Sequence, residues 1–290
     1  MSKLRSTCGT WSLKSNYIKS PLNYVGGKYK LLPTIIPMFP DKINTFVDLF
    51  GGGFNVGVNV KAEHIIYNDI CSQVVEFLNY ISGQDIDSVL SEIDVYINRY
   101  GLTKENKEGY LKLRKDYNSG NKDPIMFYTL LCYAFNYQIR FNSKGNYNMP
   151  FGKDRSSFNP TLRKKFIDFH NKISKIDCVF LNKSFEEFDF SDFTAEDFIY
   201  ADPPYYNSVA TYNENGGWTE ECEYKLLKLL DELNEAGIRF ALSNNLRYEN
   251  PTLDNWKNKY KTHYLKHDYS NCNYQKKDKS NDVEVLITNY

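Results

Sequence analysis

The segment 45–69 constrains the fold more than any other stretch of the chain. An apolar run over 45–50 predicts a buried strand, three glycines follow at 51–53, and a helix is predicted over 54–61. A second apolar run, 64–69, predicts a strand that ends in an acidic residue. Strand, glycine turn, helix and strand form the first half of a nucleotide-binding βαβ unit. The segment therefore predicts a nucleoside site on a parallel sheet.

The glycine and acid positions indicate which nucleoside is bound. Asp69 lies 18 positions beyond Gly51, near the spacing at which an acidic residue meets ribose hydroxyls. Val56 occupies the third glycine position of G-x-G-x-x-G, which disfavours a dinucleotide with a pyrophosphate. A nucleoside without phosphate, such as S-adenosyl-L-methionine, satisfies both observations.

A second chemical signal is Asp202-Pro203-Pro204-Tyr205, directly after the apolar run 198–201. The two prolines donate no backbone N–H, so the carbonyls of the corner are free to accept hydrogen bonds. Asp202 adds a carboxylate acceptor, and Tyr205 adds a flat face for stacking. Such a corner suits an aromatic amine with two N–H donors, such as adenine N6. The same four residues also suit a simple turn after a strand.

Residues 140–152 alternate aromatic and polar side chains around a Lys-Gly-Asn turn, which is typical of an exposed hairpin. Arg and Asn form two-pronged contacts with guanine and adenine edges, although a structural hairpin rich in Asn is an alternative. We predict base contacts for Arg140, Asn142, Asn146 and Asn148, and phosphate contacts for Lys144, Lys153, Arg163, Lys164 and Lys165.

The distribution of charge is compatible with a polyanionic partner, although 36 basic and 36 acidic residues give a net charge of zero. Residues 138–183 carry ten Lys and Arg against three Asp, whereas residues 184–235 carry two lysines against fourteen acidic residues. This asymmetry indicates a basic surface held apart from an acidic one, with solvated helix faces as the alternative.

Compartment and metal content follow from simpler features. The six cysteines show no C-x-x-C spacing, so we expect reduced thiols and no metal site. Lys3 and Arg5 are not followed by an apolar run, and the apolar stretch 124–135 is too short to cross a bilayer. We therefore expect a cytoplasmic protein without a signal peptide or membrane span.

The remaining segments alternate between helical and strand patterns. This alternation predicts a mostly parallel sheet with helices on both faces. The polar stretch 206–217 suits a loop that closes over a ligand. Helices are predicted within 71–138, at 161–175 and at 220–236, and strands at 178–181, 238–244, 260–265 and 283–288.

Together these segments resemble the Dam-type (α-group) DNA adenine-N6 methyltransferases from Pro21 onward. Their order is the one that this group shows, with a cofactor half, a recognition insert and a catalytic half. The resemblance is carried by Asn23-Tyr24-Val25-Gly26-Gly27-Lys28, Phe46-Val47-Asp48-Leu49-Phe50-Gly51-Gly52, Asn68-Asp69, Arg140-Phe141-Asn142 through Pro150-Phe151-Gly152, Asp202-Pro203-Pro204-Tyr205, Ser243-Asn244 and Glu284-Val285-Leu286-Ile287.

The resemblance implies an α/β fold, namely a Rossmann-like S-adenosylmethionine-dependent methyltransferase sheet whose last strand is antiparallel. Residues 1–80 and 176–290 would form the catalytic domain, and 81–175 an inserted helical and hairpin region that recognises DNA. The family often shows F-x-G-x-G, but Phe54 occupies the last place here, so the glycine of 51–53 that contacts the cofactor stays open.

The resemblance also implies the site residues. Asp202, Pro203, Pro204 and Tyr205 would be catalytic and would hold an adenine flipped from the duplex. Residues implied to bind S-adenosylmethionine are Tyr24, Lys28, Asp48, Phe50, Gly52, Asp69, Phe185 and Asp202.

The expected partner is double-stranded DNA, with a monomer as the expected state and a cognate restriction endonuclease left open. Alternatives within the same enzyme class are cytosine N4 and an RNA adenine as acceptors, or a protein glutamine. Outside this class, the alternatives are an NAD-dependent oxidoreductase, disfavoured by the missing glycine, and a DNA-binding subunit without activity, disfavoured by the intact Asp202 motif.

Overall fold

The structure is a computed structural model that describes residues 17–208, 217–265 and 283–290. Three segments lie outside these ranges: the segment before residue 17, most of the predicted closing loop 206–217, and the polar, lysine-bearing loop 268–281 between the last two predicted strands.

In the described part of the chain, seven strands form one sheet in the order β3-β2-β1-β4-β5-β7-β6. All neighbours from β3 to β5 pair in parallel, and β7 runs antiparallel to both β5 and β6. The α/β fold and the antiparallel last strand are thus confirmed. The strands are β1 (Thr45–Asp48), β2 (His64–Asn68), β3 (Cys178–Leu181), β4 (Phe198–Ala201), β5 (Arg239–Asn245), β6 (Lys261–Leu265) and β7 (Glu284–Thr288).

Helices cover both faces of the sheet. Most begin at a side-chain cap, because the Asp, Asn or Thr before the first turn accepts an otherwise unpaired backbone N–H. The helices of the described chain are α1 (Leu32–Ile35), α2 (Ser72–Ser82), α3 (Ile86–Tyr100), α4 (Lys107–Asn118), α5 (Pro124–Tyr133), α6 (Pro160–Ile173), α7 (Glu220–Glu235) and α8 (Pro251–Trp256).

Alternate strand residues divide the core into two clusters. In β4, Phe198 and Tyr200 point toward the cluster that also contains α1 to α6, whereas Ile199 and Ala201 point toward the cluster with α7 and α8. This alternation follows from the two-residue period of a strand. The sheet is therefore the middle of three layers, and its central strands β1, β4 and β5 are buried on both sides.

Helix α5 is the centre of the helical region between β2 and β3. All its residues from Ile125 to Tyr133 are buried, and it contacts α2, α3 and α4. The Tyr128 ring stacks on Phe77 of α2, with centroids 4.8 Å apart and an interplanar angle of 10°. The helical insert and the sheet thus share one core cluster. The proposed division at 81–175 stays a prediction.

The helix predicted over 54–61 is wrong. This segment contains only a single 3-10 turn at Gly57–Asn59, and Phe54 adopts a left-handed backbone with φ of 58°. One glycine and three β-branched valines give the segment a low helix propensity. The Asn55 and Asn59 side chains instead bind the backbone of residues 18–20, which holds the segment in a series of turns.

The predicted hairpin at 140–152 is present without regular strands. Phe141 and Tyr147 form an isolated antiparallel bridge, and the Asn142 N–H donates to the Asn146 carbonyl at 2.9 Å. Gly145 at the tip has φ of +71°, which a residue with a Cβ rarely adopts.

Candidate active site

A cavity of about 460 Å³ lies beyond the carboxyl ends of β1, β2 and β4. Ligands of open parallel sheets bind in this position. The structure brings all the predicted cofactor and catalytic residues to its wall. They are Tyr24, Lys28, Asp48, Phe50, Gly52, Asp69, Phe185, Asp202, Pro203, Pro204 and Tyr205.

The glycine turn after β1 is shaped by Tyr67 of β2. A Cβ on Gly51 would lie 2.2 Å from a carbon of the Tyr67 ring, so no larger residue fits there. The Tyr67 hydroxyl donates to the Gly52 carbonyl at 2.7 Å, and Gly52 has φ of +48°. The turn therefore presents bare backbone to the cavity because a buried tyrosine fills the space beneath it.

Asp69 at the end of β2 is held by backbone donors. The Gly52 N–H donates to Oδ2 and the Cys71 N–H to Oδ1, both at 2.8 Å. Burial raises the pKa of Asp69, and these two N–H groups oppose that rise. Each carboxylate oxygen has two lone pairs, so Asp69 keeps acceptor capacity toward the cavity.

Asp48 ends β1 on the same wall. Its side chain is buried, and Oδ2 accepts the Gly57 N–H at 3.0 Å. Burial raises the pKa of Asp48 to about 7, although the Gly57 N–H lowers it. A buried carboxylate whose pKa is raised by burial would be stabilised in its ionised form by a cationic ligand.

Three aromatic side chains form another wall of the cavity. The Phe50 and Phe185 centroids are 5.6 Å apart, and Trp218 lies 5.6 Å from Phe50 and 5.5 Å from Phe185. The Trp218 indole N–H donates to buried Glu223, which also accepts from Asn250. Sequence reasoning missed Trp218, although a tryptophan just before the cap of a helix was a visible signal.

The corner after β4 is built around an ion pair. Lys28 Nζ lies 2.8 Å from Asp202 Oδ1 and donates to the Gly26 carbonyl at 2.9 Å. Burial raises the pKa of Asp202 to about 6, while Lys28 opposes that rise and Glu284 adds to it. Asp202 is therefore mostly ionised at neutral pH, and Lys28 is the cation that keeps it so.

Tyr205 lies between two carboxylates. Its hydroxyl is 3.1 Å from Glu284 Oε2 and 3.4 Å from Asp202 Oδ1, and Lys28 Nζ lies 5.2 Å from its ring centroid. Glu284 begins the motif Glu284-Val285-Leu286-Ile287, but the sequence predicted no role for it at the site. It lies 79 residues away from Tyr205, and only the fold brings the two together.

The predicted DNA-contacting residues do not line this cavity. The Arg140 guanidinium donates to Asn148 Oδ1 at 2.8 Å and to its carbonyl at 3.1 Å, so it braces the hairpin. The Asn142 side chain accepts the N–H groups of Lys144 and Asn146, both at 3.0 Å. Their contacts with DNA stay a prediction.

Two of the predicted phosphate contacts are ion-paired within the chain. Arg163 pairs with Asp94 at 3.2 Å, and exposed Lys164 pairs with Asp168 at 2.8 Å. Burial lowers the pKa of Lys165 to about 8. Lys153 is exposed. These roles also stay predictions.

Two general features of the described ranges bear on function. Within them, no helix is long and apolar enough to cross a membrane. The same part of the chain contains no group of three or more His, Cys, Asp or Glu side chains that could hold a metal ion.

The strand order, with an antiparallel β7 and an acidic corner beside a nucleoside-sized cavity, defines a Rossmann-like methyltransferase. A family model described as D12 class N6 adenine-specific DNA methyltransferase matches residues 24–277. The chain belongs to this family, which confirms the resemblance to Dam-type enzymes.

Curated relatives agree with this assignment. The chain is 48% identical to the type II methyltransferase M.FokI of Planomicrobium okeanokoites, over 95% of this chain and 43% of that protein. It is 43% identical to the modification methylase StsI of Streptococcus sanguinis, over 96% and 44%. It is 26% identical to the DNA adenine methylase of Escherichia coli strain K12, over 84% and 86%. The chain thus spans less than half the length of the first two relatives.

Proposed function

We propose that this chain transfers the methyl group of S-adenosylmethionine to N6 of an adenine in double-stranded DNA. The observation that carries the proposal is the shared cavity. Asp202, paired with Lys28, faces the same 460 Å³ as Asp69 and the bare glycine turn. An amine-binding corner and a nucleoside-binding edge are thus close enough for one group to pass between them.

The residues present fit the proposed cofactor. The cavity volume lies in the usual range for small-molecule sites, roughly 300–1,000 Å³. Asp69 is a suitable acceptor for ribose hydroxyls, and the wall of Phe50, Phe185 and Trp218 suits a purine ring. Asp48 supplies negative charge beside a cationic ligand. When bound, S-adenosylmethionine supplies an electrophilic methyl group on a sulfonium.

The residues of the Asp202 corner would orient the acceptor amine. Lys28 holds Oδ1 of Asp202, so Oδ2 accepts one N6 proton, and a carbonyl of the Pro203-Pro204 segment accepts the other. Both bonds turn the lone pair of N6 away from the ring and toward the methyl group. As positive charge develops on N6, the ionised carboxylate stabilises it. Tyr205 supplies the face on which the adenine stacks.

The acceptor base must leave the duplex to reach this corner, because the cavity encloses the reacting atoms. We propose that the hairpin 140–152 reads the sequence beside it, through Arg140, Asn142, Asn146 and Asn148, and that Lys144 and Lys153 hold phosphates. The names of two relatives, a type II methyltransferase and a modification methylase, support a role in marking DNA beside a restriction endonuclease.

The test is methylation of unmethylated plasmid DNA with tritium-labelled S-adenosylmethionine, followed by long-read sequencing of the product. We expect N6-methyladenine within one sequence motif, and no label with Asp202→Ala. An equal mass of transcript RNA from the same plasmid serves as the competing acceptor. Label on cytosine or on RNA alone would overturn the choice of acceptor, and absence of label on every acceptor would overturn the enzyme assignment.

The hairpin proposal has a test of its own. If Arg140 pairs with guanine, Arg140→Ala should cost about 1–3 kcal/mol at the preferred site and relax the choice of base there. Lys164→Ala should weaken all sequences alike and reduce the salt dependence by about one unit of slope.

Asn118→Ala is the matched control, because its side chain holds the backbone of Tyr147 in the hairpin and it has no proposed contact with DNA. The readout is methylation of a library randomised around the motif. An unchanged sequence preference in Arg140→Ala, or the same change of preference in Asn118→Ala, would show that Arg140 only supports the hairpin.

A further inference from the structure

Glu284, the first residue of the antiparallel strand β7, contacts the Asp202 corner through the Tyr205 hydroxyl. Its Oε2 accepts from the Tyr205 hydroxyl at 3.1 Å, and its Oε1 accepts from Asn245 Nδ2 at 3.0 Å. Asn245 is also its register partner across β5 and β7. Glu284 is half-buried and is not among the described residues that line the cavity. It therefore acts on the corner through its bond to Tyr205 and through its charge, which raises the pKa of Asp202.

The Tyr205 hydroxyl has one proton and two carboxylates within reach. Asp202 Oδ1 lies at 3.4 Å and Glu284 Oε2 at 3.1 Å, so the shorter bond goes to Glu284. Burial keeps the pKa of Tyr205 well above its usual range, so the proton stays on the phenol at neutral pH. A phenol can donate to only one acceptor at full strength at a time. Glu284 and Asp202 thus compete for it.

We propose that Glu284 is a positioning residue for methyl transfer, which holds the single proton of the Tyr205 hydroxyl and thereby leaves Asp202 to the acceptor amine. The inference rests on the proposed function and adds a residue to it. Two consequences follow for the corner. The bond at its far end fixes the Tyr205 ring, and Lys28 holds Oδ1 of the Asp202 carboxylate, which leaves Oδ2 for the adenine.

The variant Glu284→Gln changes this arrangement with little change in shape. In this variant, Asn245 still donates its side-chain N–H to the one remaining side-chain oxygen of residue 284. The Asn245 amide cannot rotate, because its Oδ1 accepts the Arg247 N–H and would lose that bond. The new amide NH₂ then faces the Tyr205 oxygen as a donor. The phenol proton is left to turn to Asp202, where it competes with the acceptor amine.

The test measures kcat and the KM for S-adenosylmethionine on plasmid DNA that the wild type methylates, in wild type, Glu284→Gln, Tyr205→Phe and the double variant. We expect Glu284→Gln to lower kcat about tenfold with KM for the cofactor unchanged, the usual effect of redirecting one hydrogen bond to a charged group. In the Tyr205→Phe background, Glu284→Gln should lower kcat no further, because phenylalanine has no hydroxyl proton to redirect. Exposed Glu235→Gln is the matched control.

The outcomes separate the possible failures. Equal losses of kcat in both backgrounds, or a raised cofactor KM together with a lower melting temperature, would show that Glu284 only stabilises β7 and would overturn the inference. A wild-type kcat in Glu284→Gln would overturn it as well. Absence of methyl transfer by the wild type would overturn the proposed function instead, since every comparison starts from its activity.

Discussion

The corners after β1 and β4 stand side by side at the edge of the sheet but are built by different means. The strands pair in parallel, with Asp48 opposite Tyr200. The turn after β1 is held by backbone N–H groups and by the Tyr67 ring beneath Gly51. The corner after β4 is held by side chains, through the ion pair of Asp202 with Lys28 and the bonds of Tyr205.

The first corner is determined mainly by shape, and the second mainly by charge. The first corner has little freedom, because backbone donors and steric contact determine it, and its proposed task is to hold a cofactor of fixed outline. The second corner is held by groups that can gain or lose a proton, and its proposed task is to stabilise charge that appears only during reaction. Substitutions in the first should therefore change affinity or stability, and those in the second should change rate and pH dependence.

The largest effect is expected from Asp202→Ala. Removing an acceptor that stabilises charge in the transition state commonly costs about 3–4 kcal/mol, a loss of 10²–10³ in rate. Asp202→Asn keeps one acceptor and should retain slight activity. Single-turnover methylation of plasmid DNA measures the rate, with exposed Asp192→Ala as the control. Near-normal turnover by the Ala variant would remove Asp202 from the mechanism.

Asp69→Ala should act on binding. Loss of a charged acceptor for hydroxyl donors commonly costs roughly 1.5–3 kcal/mol, so the affinity for S-adenosylmethionine should fall at least tenfold. Calorimetric titration measures this, and the melting temperature checks the fold, since two backbone N–H groups lose their partner. An unchanged affinity would mean that Asp69 only closes the turn.

Gly51→Ala tests the steric contact in the first corner. The added Cβ would lie 2.2 Å from the buried Tyr67 ring, and such overpacking typically costs about 1–3 kcal/mol. Gly83→Ala is the matched control, because its Cβ has no contact closer than 4.0 Å and its φ is −99°. Chemical denaturation should show a lower free energy of unfolding for Gly51→Ala and an unchanged one for Gly83→Ala. Equal stability of the two would contradict a turn fixed by Tyr67.

The smallest effect is expected from Lys28→Met, and it should depend on pH. Lys28 lowers the pKa of Asp202, while burial and the charge of Glu284 raise it, so without the lysine this pKa rises above about 6. Tyr205 and Asp48 also face this carboxyl and stay in place. The rate should fall several-fold at about pH 7 and recover at about pH 8.5. A pH-independent loss would show that Lys28 does not act through the Asp202 proton.

Much of the first corner could be predicted from sequence, because its elements are continuous in the chain. The apolar runs marked β1 and β2, and the spacing from Gly51 to Asp69 placed both residues at one edge. Gly57 and the three valines are a local signal against the helix predicted over 54–61, but the interactions that replace it come from a remote segment. The Asn55 and Asn59 side chains bind residues 18–20, which no local pattern indicates.

The second corner could be predicted only in its contiguous part. Asp202 and Tyr205 are marked by the prolines between them. Trp218 was visible beside a helix cap, but its place in the aromatic wall depends on how α7 packs. The contact of Glu284 with Tyr205 likewise depends on the packing of β7. Arg140 shows a third case. Its partner Asn148 is only eight residues away in the same hairpin, so the sequence could have predicted this bond. The residue types instead favoured the prediction of a base contact.

The place of α5 in the fold bears on how the connection between β2 and β3 can change. The chain leaves the sheet after β2 and returns to the neighbouring β3, so the length of the connection does not affect strand pairing. Yet α5 is buried along its length and stacks on α2 through Tyr128. Recombination between related genes could therefore exchange the exposed tip of the hairpin, 143–145, while buried Tyr147 and Met149 stay in the core. An exchange that breaks within α5 would remove the core that both parts share.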